Sequence, residues 1–260
     1  MSEPFVKYEK RGHVAWITLN RPEVMNALHP PCHDELDRIW DDFAADRDLW
    51  VAILTGAGER AFSAGNDLKW TAQQGGKIPP MPRTGFAGIV SRFDLTKPVI
   101  AAVNGFALGG GFEIALSCDI VIAADHARFG LPEPKVGLMA AAGGVQRLVR
   151  HIPLKVAMGL MLTAEHITAE RALALGLVNE VVPGAELLRA AERWAERIME
   201  CSPLSIRATK QAAMDSLDVP LPESIAMARY PAAVDLFRSE DAIEGPRAFA
   251  EKRKPVWKGR

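Results

Sequence analysis

The sequence has little of what marks a secreted, metal-bound or polymer-binding chain. Its 260 residues hold three cysteines, Cys32, Cys118 and Cys201. The number is odd, the spacing is wide and no C-x-x-C pair occurs, which argues against a disulfide framework and a thiolate zinc site and for a reducing compartment. An excess of one charge is missing too: Lys+Arg 31 against Asp+Glu 32 gives 31 − 32 = −1. No global field therefore draws nucleic acid or an acidic membrane. The longest uncharged run, Pro98 to Phe112, is too short to span a bilayer and is broken by glycines. Charges at Glu3, Lys7, Glu9 and Lys10 stand where a signal peptide is apolar. A cytoplasmic protein with no membrane or nucleic-acid partner is expected. What is present is an ordinary globular composition, 48% hydrophobic and 24% charged, with length for one large core or a core plus an appendage.

Short apolar runs rich in β-branched residues recur at Val51–Thr55, Val99–Val103 and Ile120–Ala123. Continuous rather than alternating patterns mean burial on both faces. With helix-length segments between them, they predict an α/β fold with parallel strands. Val14–Leu19 and Leu177–Val182 read as further strands, and a helix is expected to start near Asp34, on the spacing of Leu36, Ile39, Trp40 and Phe43. After Ala185 the signals are helical, with a break near Cys201-Ser202-Pro203. This divides the chain into a core over 1–200 and a helical portion over 201–260, either an assembly element or a layer on its own chain. Half of residues 75–88 are Gly or Pro, so neither helix nor strand is expected in this long loop.

Gly56-Ala57-Gly58-Glu59-Arg60-Ala61 matches a dinucleotide fingerprint, but no helix start follows and no acid lies between Asp67 and Asp94. A plain turn is the reading. His29 and His33 have the spacing of a metal pair on a helix, yet Pro30 and Pro31 between them disfavour a regular helix presenting both rings. No G-x-S-x-G elbow or P-loop is present.

The informative run is Asn104 to Leu116, where Gly109-Gly110-Gly111 ends a buried strand and opens an apolar helix. Such a turn lets backbone N–H groups face a ligand, and the helix dipole favours negative charge there. Glu113 lies among Phe112, Ile114, Ala115 and Leu116. It is either a functional carboxylate or one that satisfies helix-start N–H groups. Glu133 is pinned between Pro132 and Pro134, a rigid presentation suited to acid–base work, or else a turn residue facing solvent. Ser63-Ala64-Gly65 is a second small-residue turn after a strand.

These segments resemble the crotonase (enoyl-CoA hydratase/isomerase) family over essentially the whole chain. The resemblance is carried by Ala61-Phe62-Ser63-Ala64-Gly65-Asn66-Asp67-Leu68-Lys69, by Lys97 to Gly105 and Gly109 to Glu113 with Cys118-Asp119, and by Pro132-Glu133, Val136-Gly137-Leu138 and Gly143 to Leu148. The C-terminal run Glu240 to Arg253 is also similar. It implies a crotonase-like ββα spiral core with a helical C-terminal trimerisation region, assembling as a homotrimer or hexamer. It implies an acyl-CoA thioester substrate, CoA being part of the substrate, and neither metal nor other cofactor. By motif position it places the catalytic pair on Glu113 and Glu133 and the oxyanion-hole N–H groups on Ala64 and Gly110. Substrate contacts are expected at Ser63, Asn66, Asp67, Leu68, Lys69, Gly109 and Pro132.

The implied activity is a hydro-lyase of fatty acid and lipid metabolism that hydrates a 2-enoyl-CoA to a 3-hydroxyacyl-CoA. Alternatives are dehydration of carnitinyl-CoA, double-bond isomerisation, and a non-catalytic scaffold or RNA-binding protein. The sequence departs from the family where Ala140-Ala141-Ala142 replaces a usual Pro, with no Asp in that stretch, and where Asn66 replaces a common Ala. Lys69 and the basic end (Lys252, Arg253, Lys254, Lys258, Arg260) are either contacts for CoA phosphates or a solvated tail.

Overall fold

The computed structural model describes residues 3–76 and 81–260. Its larger sheet has the order β1-β2-β3-β5-β7-β10: β1 (Val6–Arg11), β2 (Val14–Leu19), β3 (Val51–Gly56), β5 (Val99–Val103), β7 (Ile120–Ala124) and β10 (Glu180–Val182). The smaller has the order β4-β6-β8-β9: β4 (Ala61–Ser63), β6 (Phe106–Leu108), β8 (Arg128–Gly130) and β9 (Ile167–Thr168). Strands β3 and β5 are wholly buried, as continuous apolar runs require, and both pair in parallel with their neighbours. The exceptions to parallel pairing are β1 on β2 and β9 on β8.

Three times a long strand feeds a short one and then a helical turn. β3 and β4 lead to α2 (Leu68–Gln73), β5 and β6 to α3 (Gly110–Ser117), and β7 and β8 to a turn of 3-10 helix at Glu133–Val136. Because β4, β6 and β8 are parallel neighbours, they end side by side, about 5 Å apart. The residues that follow them therefore converge. Asn66, Gly110 and Glu133 come two or three positions after the three strand ends, and Glu113 lies one turn into α3.

Helix α1 (Pro30–Ala45) covers the sheet with Leu36, Trp40 and Phe43 buried. It begins at Pro30, ahead of the expected start near Asp34, since proline at the first helical positions gives up an N–H that has no partner there anyway. The remaining helices are α4 (Gly144–His151), α5 (Leu154–Thr163), α6 (Ala169–Ala174), α7 (Leu187–Met199), α8 (Pro203–Asp215), α9 (Leu221–Ser224), α10 (Pro231–Phe237) and α11 (Glu240–Ala250). The expected strand at Leu177–Val182 is shorter, because Asn179 uses its side chain and its N–H on Val121 in a turn before β10.

The main core draws on residues from Val6 to Ala195, and a small separate cluster gathers Ala208, Tyr230 and Ala233. Lys210 nonetheless ties α8 to the core, pairing with Asp119 at 2.7 Å and donating to the Lys97 carbonyl at 2.9 Å. Among the described residues no helix is long and apolar enough to cross a membrane.

The Gly56–Ala61 segment is a turn, stapled by Asn104, whose side chain accepts from Gly56 N–H and donates to the Gly56, Gly58 and Ala61 carbonyls. In the 75–88 loop, residues 77–80 lie outside the described residues. Contrary to expectation the loop's end holds helical structure, one 3-10 turn at Phe86–Gly88.

Candidate active site

A cavity of about 1390 Å³ opens where the short strands end. It exceeds the roughly 300–1,000 Å³ of pockets for compact ligands and suits a long one. Glu113 and Glu133 both line it.

Glu113 is 3% exposed. Its Oε1 accepts the N–H of Gly144, the first residue of α4, at 2.8 Å. Burial pushes its carboxyl up to about 7; the charge of Glu133 adds to the rise, while the Gly144 and Ala142 N–H groups and Arg147 oppose it. Glu133 is also raised by burial, and its buried Oε2 has no hydrogen-bond partner among the described residues. Gly109 makes room for it: with φ +54, a Cβ there would stand 2.8 Å from Glu133 Oε1. The helix-start reading of Glu113 is excluded, because the N–H that its side chain accepts belongs to α4 rather than to α3.

The backbone donors require a correction. The N–H of Ala64 is spent on the Met25 carbonyl at 2.9 Å, so Ala64 lines the cavity without offering a donor. Asn66 offers one instead. It bridges in parallel to Leu28, with Leu28 N–H donating to Gly65 and Asp67 N–H donating to Leu28, both at 2.8 Å. In that pattern the residue between the two bonds turns its own N–H to the other side. Among the described residues no acceptor takes the N–H of Asn66 or of Gly110. The two turns touch, since a Cβ on Gly65 would lie 2.6 Å from the Gly110 nitrogen.

Of the other expected contacts, Asn66, Leu68, Gly109 and Pro132 line the cavity, whereas Ser63, Asp67 and Lys69 do not. Ser63 is buried, donating to the Asn26 carbonyl at 2.8 Å and accepting from Gly65 N–H at 3.1 Å. Asp67 caps α2 through Trp70 N–H and pairs with Arg21 at 2.9 Å, so both are structural. Lys69 lies on the exposed side of α2. Part of the basic end folds back on α11 and its C-terminal cap: Arg253 binds Glu244 and Glu251, and Lys258 and Arg260 bind Glu240.

His29 and His33 are both buried. His29 meets Cys32 Sγ, and His33 accepts from Ala87 N–H. Among the described residues no group of three or more His, Cys, Asp or Glu side chains is placed to hold a metal ion.

Sequence reasoning missed Phe86, Gly144 and Arg147 as site residues. Phe86 seats its ring against Gly110, where a Cβ would come within 2.6 Å. Arg147 donates to the Val90 carbonyl at 2.7 Å and lines the cavity beside Glu113. The signal was there for two of them, since Gly144 and Arg147 lie in a family-like motif. Lys210, Met214, Asp215, Leu217 and Asp218 also line the cavity, so the helical C-terminal portion forms one of its walls.

Comparison with known proteins defines the class: the chain belongs to the enoyl-CoA hydratase/isomerase family, whose profile matches residues 9–260. The chain is 44% identical over 257 residues to the carnitinyl-CoA dehydratase of Escherichia coli K12, covering 96% of this chain and 97% of that one. It is likewise 44% identical over 261 residues to the (E)-benzylidenesuccinyl-CoA hydratase of Thauera aromatica, covering 98% and 99%. An enoyl-CoA hydratase crystal structure from Mycobacterium tuberculosis H37Rv superposes with a TM-score of 0.92 at 41% identity, covering 99% and 100%. The crotonase fold expected from sequence is the fold observed.

Proposed function

We propose that this protein is a hydro-lyase that adds water across the double bond of a 2-enoyl-CoA to give the 3-hydroxyacyl-CoA. The observation that supports it best is one buried and one half-buried carboxylate in one cavity, beside two N–H groups without an acceptor among the described residues. The ionised Glu113 takes a proton from a water as its oxygen bonds to C3. The π electrons pass into the thioester, and the Gly110 and Asn66 N–H groups hold the resulting enolate oxygen. A donor of this kind contributes roughly 3–4 kcal/mol of transition-state stabilisation.

Glu133, which burial presses toward its protonated form, delivers its proton to C2. Glu113 then carries the water's proton and Glu133 is charged, so a proton exchange with solvent or with each other resets the pair. Water addition to C=C involves no net oxidation, so the chemistry calls for no redox group.

Two carboxylates serve hydration better than double-bond isomerisation, which one base can perform by moving a single proton. The second reading is dehydration of carnitinyl-CoA, favoured by the 44% identity to relatives of that name. It is the same chemistry on a different acyl group. The reading extends to a homotrimer or hexamer acting in the cytoplasm on lipid-derived acyl-CoA. Exposed Phe237, Ile243, Phe249 and Val256 on the C-terminal portion support an assembly that covers them.

A panel of crotonyl-, long-chain enoyl- and crotonobetainyl-CoA tests the proposal through loss of conjugated-thioester absorbance. Turnover of crotonobetainyl-CoA alone selects the second reading. Movement of a 3-enoyl double bond with no hydration overturns both.

A further inference from the structure

The segment 84–92 forms a wall of the cavity through Phe86, Ile89, Val90 and Ser91; one face of α1 holds it, and Arg147 also bonds the Val90 carbonyl. Ala87 sits in the left-handed region at φ 56, where an alanine does not stay unaided. Both ends of its backbone are bonded by α1 side chains. Its N–H donates to His33 Nδ1 at 3.1 Å, and its carbonyl accepts from Trp40 Nε1 at 3.0 Å.

One turn along the same face, Asp37 takes the Thr84 hydroxyl and the Arg92 guanidinium, the latter at 2.7 Å. Gly88 lies so close to the Asp37 backbone that a Cβ would meet it at 2.8 Å. The His33 ring also packs edge-on against Phe86, with centroids 4.6 Å apart. Phe86 in turn rests on Gly110.

We propose that His33 is a positioning residue for the reaction: its bond to the Ala87 N–H fixes Phe86 over Gly110 and so fixes the donor end of the site. The inference rests on the hydratase reading above. His33 touches no reacting atom and acts through Ala87 and Phe86. Because Nδ1 accepts, the ring proton sits on Nε2, which has no partner among the described residues. Burial pushes the imidazole down to about 4, with His29 lowering it and Asp34 raising it. The ring is therefore neutral near pH 7 and its acceptor is intact. Removing that acceptor leaves a buried N–H at a left-handed residue with nothing to hold it.

The test pairs His33→Leu with His33→Asn. The Asn side-chain oxygen occupies the place of Nδ1 and still accepts; the Leu side chain fills space and does not. Amide hydrogen exchange over 84–92 is measured together with steady-state hydration of an enoyl-CoA. In H33L, exchange over 84–92 quickens and kcat falls about tenfold, with a smaller change in KM; H33N restores both toward wild type. Unchanged exchange in H33L, or equal loss of kcat in H33L and H33N, overturns the proposal.

If H33L does not fold, Trp40→Phe removes the other bond to Ala87, and faster exchange at the same amides is expected. Unchanged exchange there also overturns the clamp. Wild-type protein that hydrates no enoyl-CoA removes the hydratase reading, while the exchange comparison still decides whether His33 holds the segment.

Discussion

The two carboxylates of the site stand in regions built by different means. Glu113 rises from the first turn of an apolar helix and is answered by the start of another, through Gly144 N–H at 2.8 Å. Glu133 sits between prolines in a single 3-10 turn, with one oxygen buried and unpartnered. A carboxylate that accepts N–H groups is helped toward its charged form, and burial presses it toward its neutral form. Burial raises both, Glu113 to about 7, and backbone N–H groups oppose the rise at each. The roles proposed above, Glu113 as base and Glu133 as acid, rest on the Gly144 N–H held by Glu113 and on the Glu133 oxygen that has no partner among the described residues.

The largest effect is expected from neutralising each carboxylate in turn. Glu113→Gln keeps an oxygen for Gly144 and should fold, yet kcat falls roughly 10²- to 10⁴-fold while binding of a saturated acyl-CoA changes little. Glu133→Gln should lose activity on the same scale, read by the same absorbance assay and calorimetric titration. Near-normal turnover in either variant removes that residue from the mechanism.

A smaller effect isolates the acid. Gly109→Ala would place a Cβ 2.8 Å from Glu133 Oε1 at a φ of +54. It should lower kcat by about 10²-fold by displacing Glu133. Gly137→Ala also carries a positive φ, +72, but meets nothing within 4 Å. It controls for backbone strain, and kcat should hold close to wild type while the thermal midpoint falls.

The pH dependence gives the third contrast. Glu113 must be ionised to act, so kcat/KM should fall as pH drops through about 7. The same shift acts on stability with a definite sign. Between the unfolded value of 4.5 and about 7 the folded state binds more protons than the unfolded, so stability declines as pH rises through that window. Glu113→Gln should then be more stable than wild type at pH 8, by up to roughly 3 kcal/mol, with no difference below pH 4. Denaturant unfolding at the two pH values measures it. A variant less stable than wild type at pH 8 would show that the Gly144 bond outweighs burial.

Much of this site was legible in the sequence. The buried strands at Val51, Val99 and Ile120 announced themselves as continuous apolar runs, and the glycines before Glu113 marked a strand-to-helix turn. The three-residue strands β4, β6 and β8 did not, because so short a segment has no periodicity and exists only through its neighbours. Strand β1 was hidden for another reason: it is an edge strand with mostly charged, exposed positions.

The free N–H of Asn66 illustrates the limit best. A motif places Ala64 and Asn66 together, but which N–H is free is set by pairing with Met25 and Leu28, far back in the chain. His33 escaped for the same reason, since its partner Ala87 is 54 positions away.

The proposed reaction is addition of water to a conjugated thioester held between Glu113 and Glu133. The direct measurement is the conjugated-thioester absorbance of a 2-enoyl-CoA mixed with wild-type protein, with the product identified by mass. Loss of that absorbance is expected, with a product heavier than the substrate by one water, both abolished in Glu113→Gln and in Glu133→Gln. An unchanged spectrum across the substrate panel, or a product of unchanged mass with its double bond moved, would contradict it.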